Sequence, residues 1–232
     1  MKHSGRARKA AFKIILFTLV AVIVVWGLSA LTSAAAAVIA AIAVVLLPFL
    51  FIVWLLFSIF TLYFFRDPNP RVPSDKGVVL SPAHGKVDVL DRINEPRFMG
   101  GECQRISMFL SVIDIHVQNA PVSGQVSFFQ YTEGEFMNAM RSECGLHNEN
   151  ALLGFQANDP AGKKVGVRVI AGVLARRIVP YVKEGDVVER GERIGLVQFG
   201  SRADIYLPLD AKIKIKLGDH LTGGETIIAT FE

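Results

Sequence analysis

The run Glu-Arg-Ile-Gly-Leu-Val-Gln-Phe-Gly-Ser-Arg-Ala-Asp-Ile-Tyr-Leu-Pro spans Glu192 to Pro208. Ile194, Leu196 and Val197 read as a strand leading in, and Ile205, Tyr206 and Leu207 as a strand leading out. Between them lies Phe199-Gly200-Ser201-Arg202. A Gly-Ser pair between strands is ordinarily a turn, because glycine tolerates positive φ and serine bonds its own backbone. A second reading is chemical. Gly200 has no Cβ, so a tightly held loop leaves its carbonyl open to the Ser201 hydroxyl. The residues alone leave both readings open.

The same strand-like texture covers most of the chain after residue 76. The runs are Gly77–Leu80, Gly85–Leu90, Arg105–Leu110, Gly124–Tyr131, Lys164–Ile170, Ile178–Tyr181, Glu192–Phe199, Ala203–Leu207 and Thr226–Phe231. Each is short, carries Val, Ile or Phe, and is broken by Gly, Pro or Asp. The helix candidates are Phe136–Ser142 and, as a turn, Val112–Val117. The predicted fold class is mainly β, packed as a barrel or sandwich. Val182–Gly195 looks like the Gly-Asp hairpin of biotinyl and lipoyl domains, with turn pairs Gly185-Asp186 and Arg190-Gly191. Leu217–Thr226 repeats that cadence, so the two stretches are expected to pair as quasi-equivalent hairpins.

Hydrophobic residues make up 51% of the 232 and charged residues 20%, too apolar for a purely soluble domain. No charge occurs between Ile14 and Phe65. A bilayer crossing needs about 20 residues, so this length predicts a transmembrane α-hairpin near Ile14–Leu31 and Val38–Tyr63. Thr32-Ser33 falls near its turn. The tail before residue 14 holds Lys2, Arg6, Arg8, Lys9 and Lys13 and no acid, which exceeds the whole net charge of +4. The basic balance therefore belongs to a cytoplasmic flank and not to nucleic-acid binding. Trp54, Tyr63, Phe64 and Phe65 suit the membrane interface. The predicted organisation is a basic tail over 1–13, an anchor over 14–65, a Pro-rich linker over 66–76 and a β domain over 77–232. That domain faces the cytoplasm at the inner membrane.

Cys103 and Cys144 are the only cysteines and read as ordinary thiols. The five histidines are scattered, so no metal site is expected. Asp114 and His116 lie two residues apart in an apolar stretch. They read either as a capping Asp with a core His, or as an acid orienting a proton-moving His.

Three motifs in order then carry a resemblance. They are Ser81-Pro82-Ala83-His84-Gly85-Lys86-Val87, Phe109-Leu110-Ser111-Val112-Ile113-Asp114-Ile115-His116-Val117, and Ile194-Gly195 through Ser201-Arg202. The chain resembles phosphatidylserine decarboxylases of the short, membrane-anchored prokaryotic type, over nearly all of the chain after Tyr63. The resemblance implies self-cleavage between Gly200 and Ser201. Ser201 then becomes a pyruvoyl cofactor that binds the substrate amine as a Schiff base. The partners implied are a membrane phospholipid and the two chains of one precursor, 1–200 and 201–232, as a heterodimer or a larger assembly of it. His116 matches the family histidine used around decarboxylation, and Asp114 its partner acid.

Three positions depart from the pattern. His84 stands where the family usually has the Asp implicated in self-cleavage. Asn119 stands where long forms have His and many short forms Arg. Asn148-Glu149-Asn150 resembles the family's Asn-Glu-Arg without its cation. Substrate contacts are therefore expected from Arg202, Lys86, Asn119 or Arg141. Two alternatives to a working decarboxylase remain at this point. One is a non-enzymatic membrane adaptor with a biotinyl-like domain, and the other a family member that does not process itself.

Overall fold

A computed structural model describes residues 5–29, 36–137, 144–172, 177–198 and 201–231. The chain divides into two compact units, Gly5–Asp67 and the residues from Pro68 onward.

The first unit is a pair of apolar helices, α1 (Arg6–Ser29) and α2 (Ala36–Phe64). Both are long and apolar enough to cross a membrane. Helices suit such sequences because they satisfy every backbone polar group internally. The Trp54 indole N–H donates to the Thr18 hydroxyl at 2.9 Å, which fixes one helix against the other. That hydroxyl in turn donates to the Ile14 or Ile15 carbonyl. α1 starts earlier than expected, so Arg6, Arg8, Lys9 and Lys13 lie within it. The expected turn at Thr32-Ser33 lies outside the described residues.

The second unit is mainly β. In chain order it holds β1 (Val78–Leu80), β2 (Gly85–Glu95), β3 (Gly101–Leu110), β4 (Val117–Asn119), β5 (Gly124–Thr132), α3 (Cys144–His147), β6 (Asn150–Asn158) and β7 (Ala161–Ala171). Then follow β8 (Ile178–Pro180), β9 (Val187–Val188), β10 (Arg193–Val197), β11 (Ser201–Leu207), β12 (Lys212–Ile213), β13 (His220–Leu221) and β14 (Ile227–Thr230). The β4, β6 and β12 strands are absent from the sequence expectation, whereas β9 and β13 fall within the two expected hairpin stretches. Val112–Asp114 forms the expected turn, whereas Val117 opens β4. The helix expected over Phe136–Ser142 falls outside the described residues from position 138.

One eight-stranded sheet runs β13-β2-β3-β11-β7-β6-β5-β9, and two three-stranded sheets run β1-β14-β12 and β4-β10-β8. These orders map onto each other when β1–β3 exchange with β4–β6 and β11–β14 with β7–β10. The turns repeat too. Asp186 Oδ2 accepts the Lys183 N–H at 2.9 Å, and Asp219 Oδ2 accepts the Lys216 N–H at 3.0 Å. Gly185 and Gly218, the glycines before these aspartates, have φ of 94° and 91°. Each turn clamps a strand bulge by two backbone bonds, one at Val126 and the other at Val87.

The cadence shared by the two stretches is thus a real repeat, but they do not pair with each other. β9 joins β5 and β13 joins β2, at opposite edges of the large sheet. Nor does β9 fold back on β10, which lies in another sheet between β4 and β8.

Strand alternation sorts β11 into two faces. Ala203, Ile205 and Leu207 enter the main core with Ile106, Met108, Leu110, Val167 and Val169. Truncating such a side chain, for example Ile205→Ala, costs about 2–5 kcal/mol. Arg202, Asp204 and Tyr206 take the other face, over which the β2–β3 turn lays Phe98 against Tyr206, Cys103 and Leu152. Glu95 holds that turn by accepting the Phe98 and Met99 N–H groups at 2.8 and 3.0 Å. Cys103 is a free, buried thiol, and burial pushes it up to about 11.

The Pro-rich stretch is not a free spacer. From Pro68 it is strapped to the β domain. Arg193 donates to Asn69 Oδ1 at 2.9 Å, Arg190 to the Pro73 carbonyl at 2.7 Å, and the Arg71 N–H to Glu225 at 2.9 Å.

Candidate active site

Ser201 opens β11 at the end of the large sheet, in register with Leu110 of β3 and Ala171 of β7. Its side chain shares the inner face with Ala203 and Ile205. It is fully buried, and its hydroxyl meets no hydrogen-bond partner among the described residues. Leaving a buried hydroxyl unpaired costs about 1–3 kcal/mol, so most such groups are satisfied. Phe199, Gly200 and Arg141 lie outside the described residues.

His116 is joined by backbone pairing to β10, the strand that precedes Ser201 in the chain. β4 and β10 run antiparallel, and the Val197 N–H donates to the His116 carbonyl at 3.1 Å. That bond lies four residues before Ser201. The buried imidazole places Nδ1 3.0 Å from the Asp114 carbonyl oxygen. A carbonyl only accepts, so Nδ1 carries the hydrogen and Nε2 is the nitrogen able to take a proton in the neutral ring.

The Asp114 carboxylate does not face His116. Oδ2 accepts the Ser111 N–H at 2.8 Å, while the Asp114 N–H returns to the Ser111 carbonyl at 2.8 Å, closing the turn that follows β3. Oδ1 lies 3.0 Å from His220 Nε2 on β13. The acid thus sets His116 through the backbone and pairs with a histidine that the sequence reading did not single out.

His84, half-buried, precedes β2. Its segment is tied to β4 by the Asn119 N–H, which donates to the Pro82 carbonyl at 2.8 Å. Gly85 and Ser201 flank Leu110 on the adjoining strands. A Cβ on Gly85 would meet the Phe109 carbonyl oxygen at 2.6 Å, and one on Gly223 would lie 3.1 Å from His84 Cδ2. Only glycine allows both approaches. Neither imidazole hydrogen-bonds Ser201 here.

The described residues expected to contact substrate, Asn119, Arg202 and Lys86, lie on β4, β11 and β2. Asn119 is buried and donates its side-chain amide to the Gly191 carbonyl at 2.9 Å. Arg202 lies on the outer face, where Nε donates to Ser107 Oγ at 2.9 Å and Nη2 pairs with Asp88. Ser107, accepting from Arg202, donates to Asp204. Burial raises the Asp204 carboxyl above its ordinary value, against the lowering effects of Ser107, Arg105, Arg168 and Arg202. Lys86 is exposed and in register with His220. Near Asn150 the missing cation is supplied from a neighbouring strand, since Arg168 Nε donates to Asn150 Oδ1 at 2.9 Å. Among the described residues, no group of three or more His, Cys, Asp or Glu could hold a metal.

Residues 57–229 match the family described as phosphatidylserine decarboxylase. The chain is 42% identical over 169 residues to a phosphatidylserine decarboxylase proenzyme of Desulfotalea psychrophila, covering 73% of this chain and 78% of that one. The chain belongs to the phosphatidylserine decarboxylase family. A proenzyme of the same description from Symbiobacterium thermophilum is 41% identical, with the same coverage. A glucose permease IIA from Mycoplasma capricolum is more remote, at 17% identity and a TM-score of 0.40 over 67% of this chain and 96% of that one. The activity of this decarboxylase is the removal of the carboxyl group from phosphatidylserine, which displaces the adaptor reading. The family match covers the β domain and little of the two helices.

Proposed function

We propose that this decarboxylase is made as a precursor that cuts itself between Gly200 and Ser201. It then converts phosphatidylserine to phosphatidylethanolamine and CO2 with a pyruvoyl group formed from Ser201. The observation that carries this is the buried, unpartnered Ser201 hydroxyl, in a chain whose relatives are called proenzymes.

The cleavage balances without an outside reagent except water. Ser201 Oγ attacks the Gly200 carbonyl, and the acyl group passes from nitrogen to oxygen. β-Elimination breaks the new ester and leaves a carboxylate on Gly200 and a dehydroalanine at 201. Hydrolysis of that residue releases ammonia and leaves the pyruvoyl ketone. His84 is the base that takes the Ser201 proton, in place of the family's Asp.

An orphaned hydroxyl at the head of a buried strand fits this conversion, since no hydrogen bond is lost when the oxygen changes. The pyruvoyl group supplies an electron sink for the bond that breaks as CO2 leaves. His116 Nε2 delivers the proton to the substrate carbon that lost its carboxylate. Asp114 holds His116 by its carbonyl and holds the Ser111–Asp114 turn by its carboxylate.

After the cut, residues 201–232 remain with residues 1–200. β11 is flanked on both sides by strands of the large chain, and β13 and β14 add pairings to β2 and β1. The helices keep the β domain at the inner membrane, facing the cytoplasm, where the substrate's acyl chains stay in the bilayer.

Ser201→Ala tests the reading. The variant should accumulate uncut and without decarboxylase activity. Scission at the same bond in this variant would overturn the mechanism.

A further inference from the structure

The turn that carries Asp114 has an unusual tip. Asp114 closes it onto Ser111 by two hydrogen bonds, so Val112 and Ile113 occupy the two central positions and point outward. Val112 is 38% exposed and Ile113 61%. Turn tips ordinarily carry Gly, Asn, Asp, Ser or Pro. Here two β-branched aliphatic side chains are presented to solvent, three and four residues before His116 in the chain, on the turn that Asp114 closes.

Their surroundings are cationic. His220, whose side chain is 60% exposed, meets Asp114 from β13. Lys86, its register partner on β2, is exposed. Three residues before His220, the Lys216–Asp219 turn is clamped to Val87 and presents Lys216 and Leu217, the latter 59% exposed. The acids nearby are engaged within the fold. Asp219 caps the Lys216 N–H, Asp88 pairs with Arg202, and Asp114 holds its turn and His220.

We infer that this rim is the surface by which the β domain enters the headgroup layer of an anionic bilayer. Ile113, Val112 and Leu217 reach the acyl boundary, and Lys86, Lys216 and His220 meet lipid phosphates. Three observations favour a lipid surface as the occupant. Apolar tips ringed by cations complement an anionic interface. The tip is continuous in chain with Asp114 and His116. The substrate is itself a phospholipid, whose headgroup must reach the Ser201 end while its acyl chains stay in the bilayer. The patch is small, which suits shallow docking of a domain already tethered by its helices. The inference rests on the proposed site at Ser201.

The test uses the full chain in nanodiscs containing phosphatidylserine. A photoreactive benzoylphenylalanine is placed at position 113 and, as a control, at position 187, where Val187 is 61% exposed on β9. Lipid adducts should form at 113 and be scarce at 187. Absence of adducts at 113, or equal yields at both positions, overturns the inference.

Turnover gives the second arm. Ile113→Ser should lower turnover of bilayer phosphatidylserine roughly five-fold, the scale of withdrawing one aliphatic side chain from lipid. Turnover of water-dispersed short-chain phosphatidylserine should stay within about two-fold, because the hydrogen bonds of the turn are untouched. Equal losses on both substrates would mean that the tip only props Asp114, and would count against docking. If the unmodified chain proves uncut and inactive, the site reading fails instead, and the crosslinking arm still decides the surface.

Discussion

Asp114 divides its two kinds of oxygen between two histidines. Its carbonyl lies 3.0 Å from His116 Nδ1, and its carboxylate lies 3.0 Å from His220 Nε2. The buried His116 is thereby linked to an exposed histidine on the edge strand β13, 106 residues away from Asp114 in sequence. Loosening the outer contact should be felt at the inner one.

His220→Leu removes a donor to Asp114 and leaves the Ser111 turn with one hydrogen-bonding arm fewer. The histidine side of this pair is 60% exposed, and such solvent-screened pairs contribute about 0–1 kcal/mol, so the melting temperature should barely move. Turnover should fall several-fold, while His220→Gln, which retains an N–H donor, should recover most of it. A steady-state comparison of the two variants decides this. Equal turnover in both would show that His220 does not act through Asp114.

Gly223→Ala should disturb processing without touching Ser201. The added Cβ would sit 3.0 Å from the Ala83 carbonyl carbon and 3.1 Å from His84 Cδ2. The segment bearing His84 has to shift, at a cost of roughly 1–3 kcal/mol. The rate at which precursor disappears in a pulse-labelling gel should drop. A wild-type rate would mean that the position of His84 is immaterial to self-cleavage.

His84→Asp restores the acid usual at this position in the family. A carboxylate stays a base at pH values where an imidazole is already protonated. The acid limb of processing should therefore move to lower pH in the variant. Precursor and product measured across pH 4–8 give the answer, and identical profiles would remove His84 from the proton path.

Asp204 supplies a stability prediction on the opposite face of β11. Burial raises its carboxyl above the ordinary value of 3.8. A group raised in the folded state contributes stability below its unfolded value, and loses it as pH rises through the folded value. Asp204→Asn is neutral throughout. Its melting temperature should therefore vary less than the wild type's between acid and neutral pH. A parallel pH dependence in both proteins would refute the assignment.

Much of this was legible in the residues. Alternation in Ile205-Tyr206-Leu207 and in Ile194-Gly-Leu-Val marks the two strands around Gly200-Ser201, because each buries one side or both. β9 and β13 are two residues each and carry no period to read. β6, written Asn-Ala-Leu-Leu-Gly-Phe-Gln-Ala-Asn, has no β-branched residue, so its state is set by pairing with β5 and β7. The Asp114–His116 spacing suggests a side-chain pair, whereas the contact runs through the Asp114 carbonyl. His220 gives no local signal, because only the β13–β2 pairing brings it to Asp114. Arg168 is hidden in the same way, reaching Asn150 across a strand pair. The two long apolar helices were legible from the length of the uncharged run, whereas the strapping of Pro68–Pro73 depends on arginines more than 100 residues downstream.

The central claim concerns one covalent bond. Protein purified from native membranes should be resolved on a denaturing gel and weighed intact. Two chains are predicted, the smaller spanning 201–232 with the mass of a pyruvoyl group in place of its first residue and no free N-terminal amine. A single chain of full length, with Ser201 intact and still decarboxylating phosphatidylserine, would contradict it.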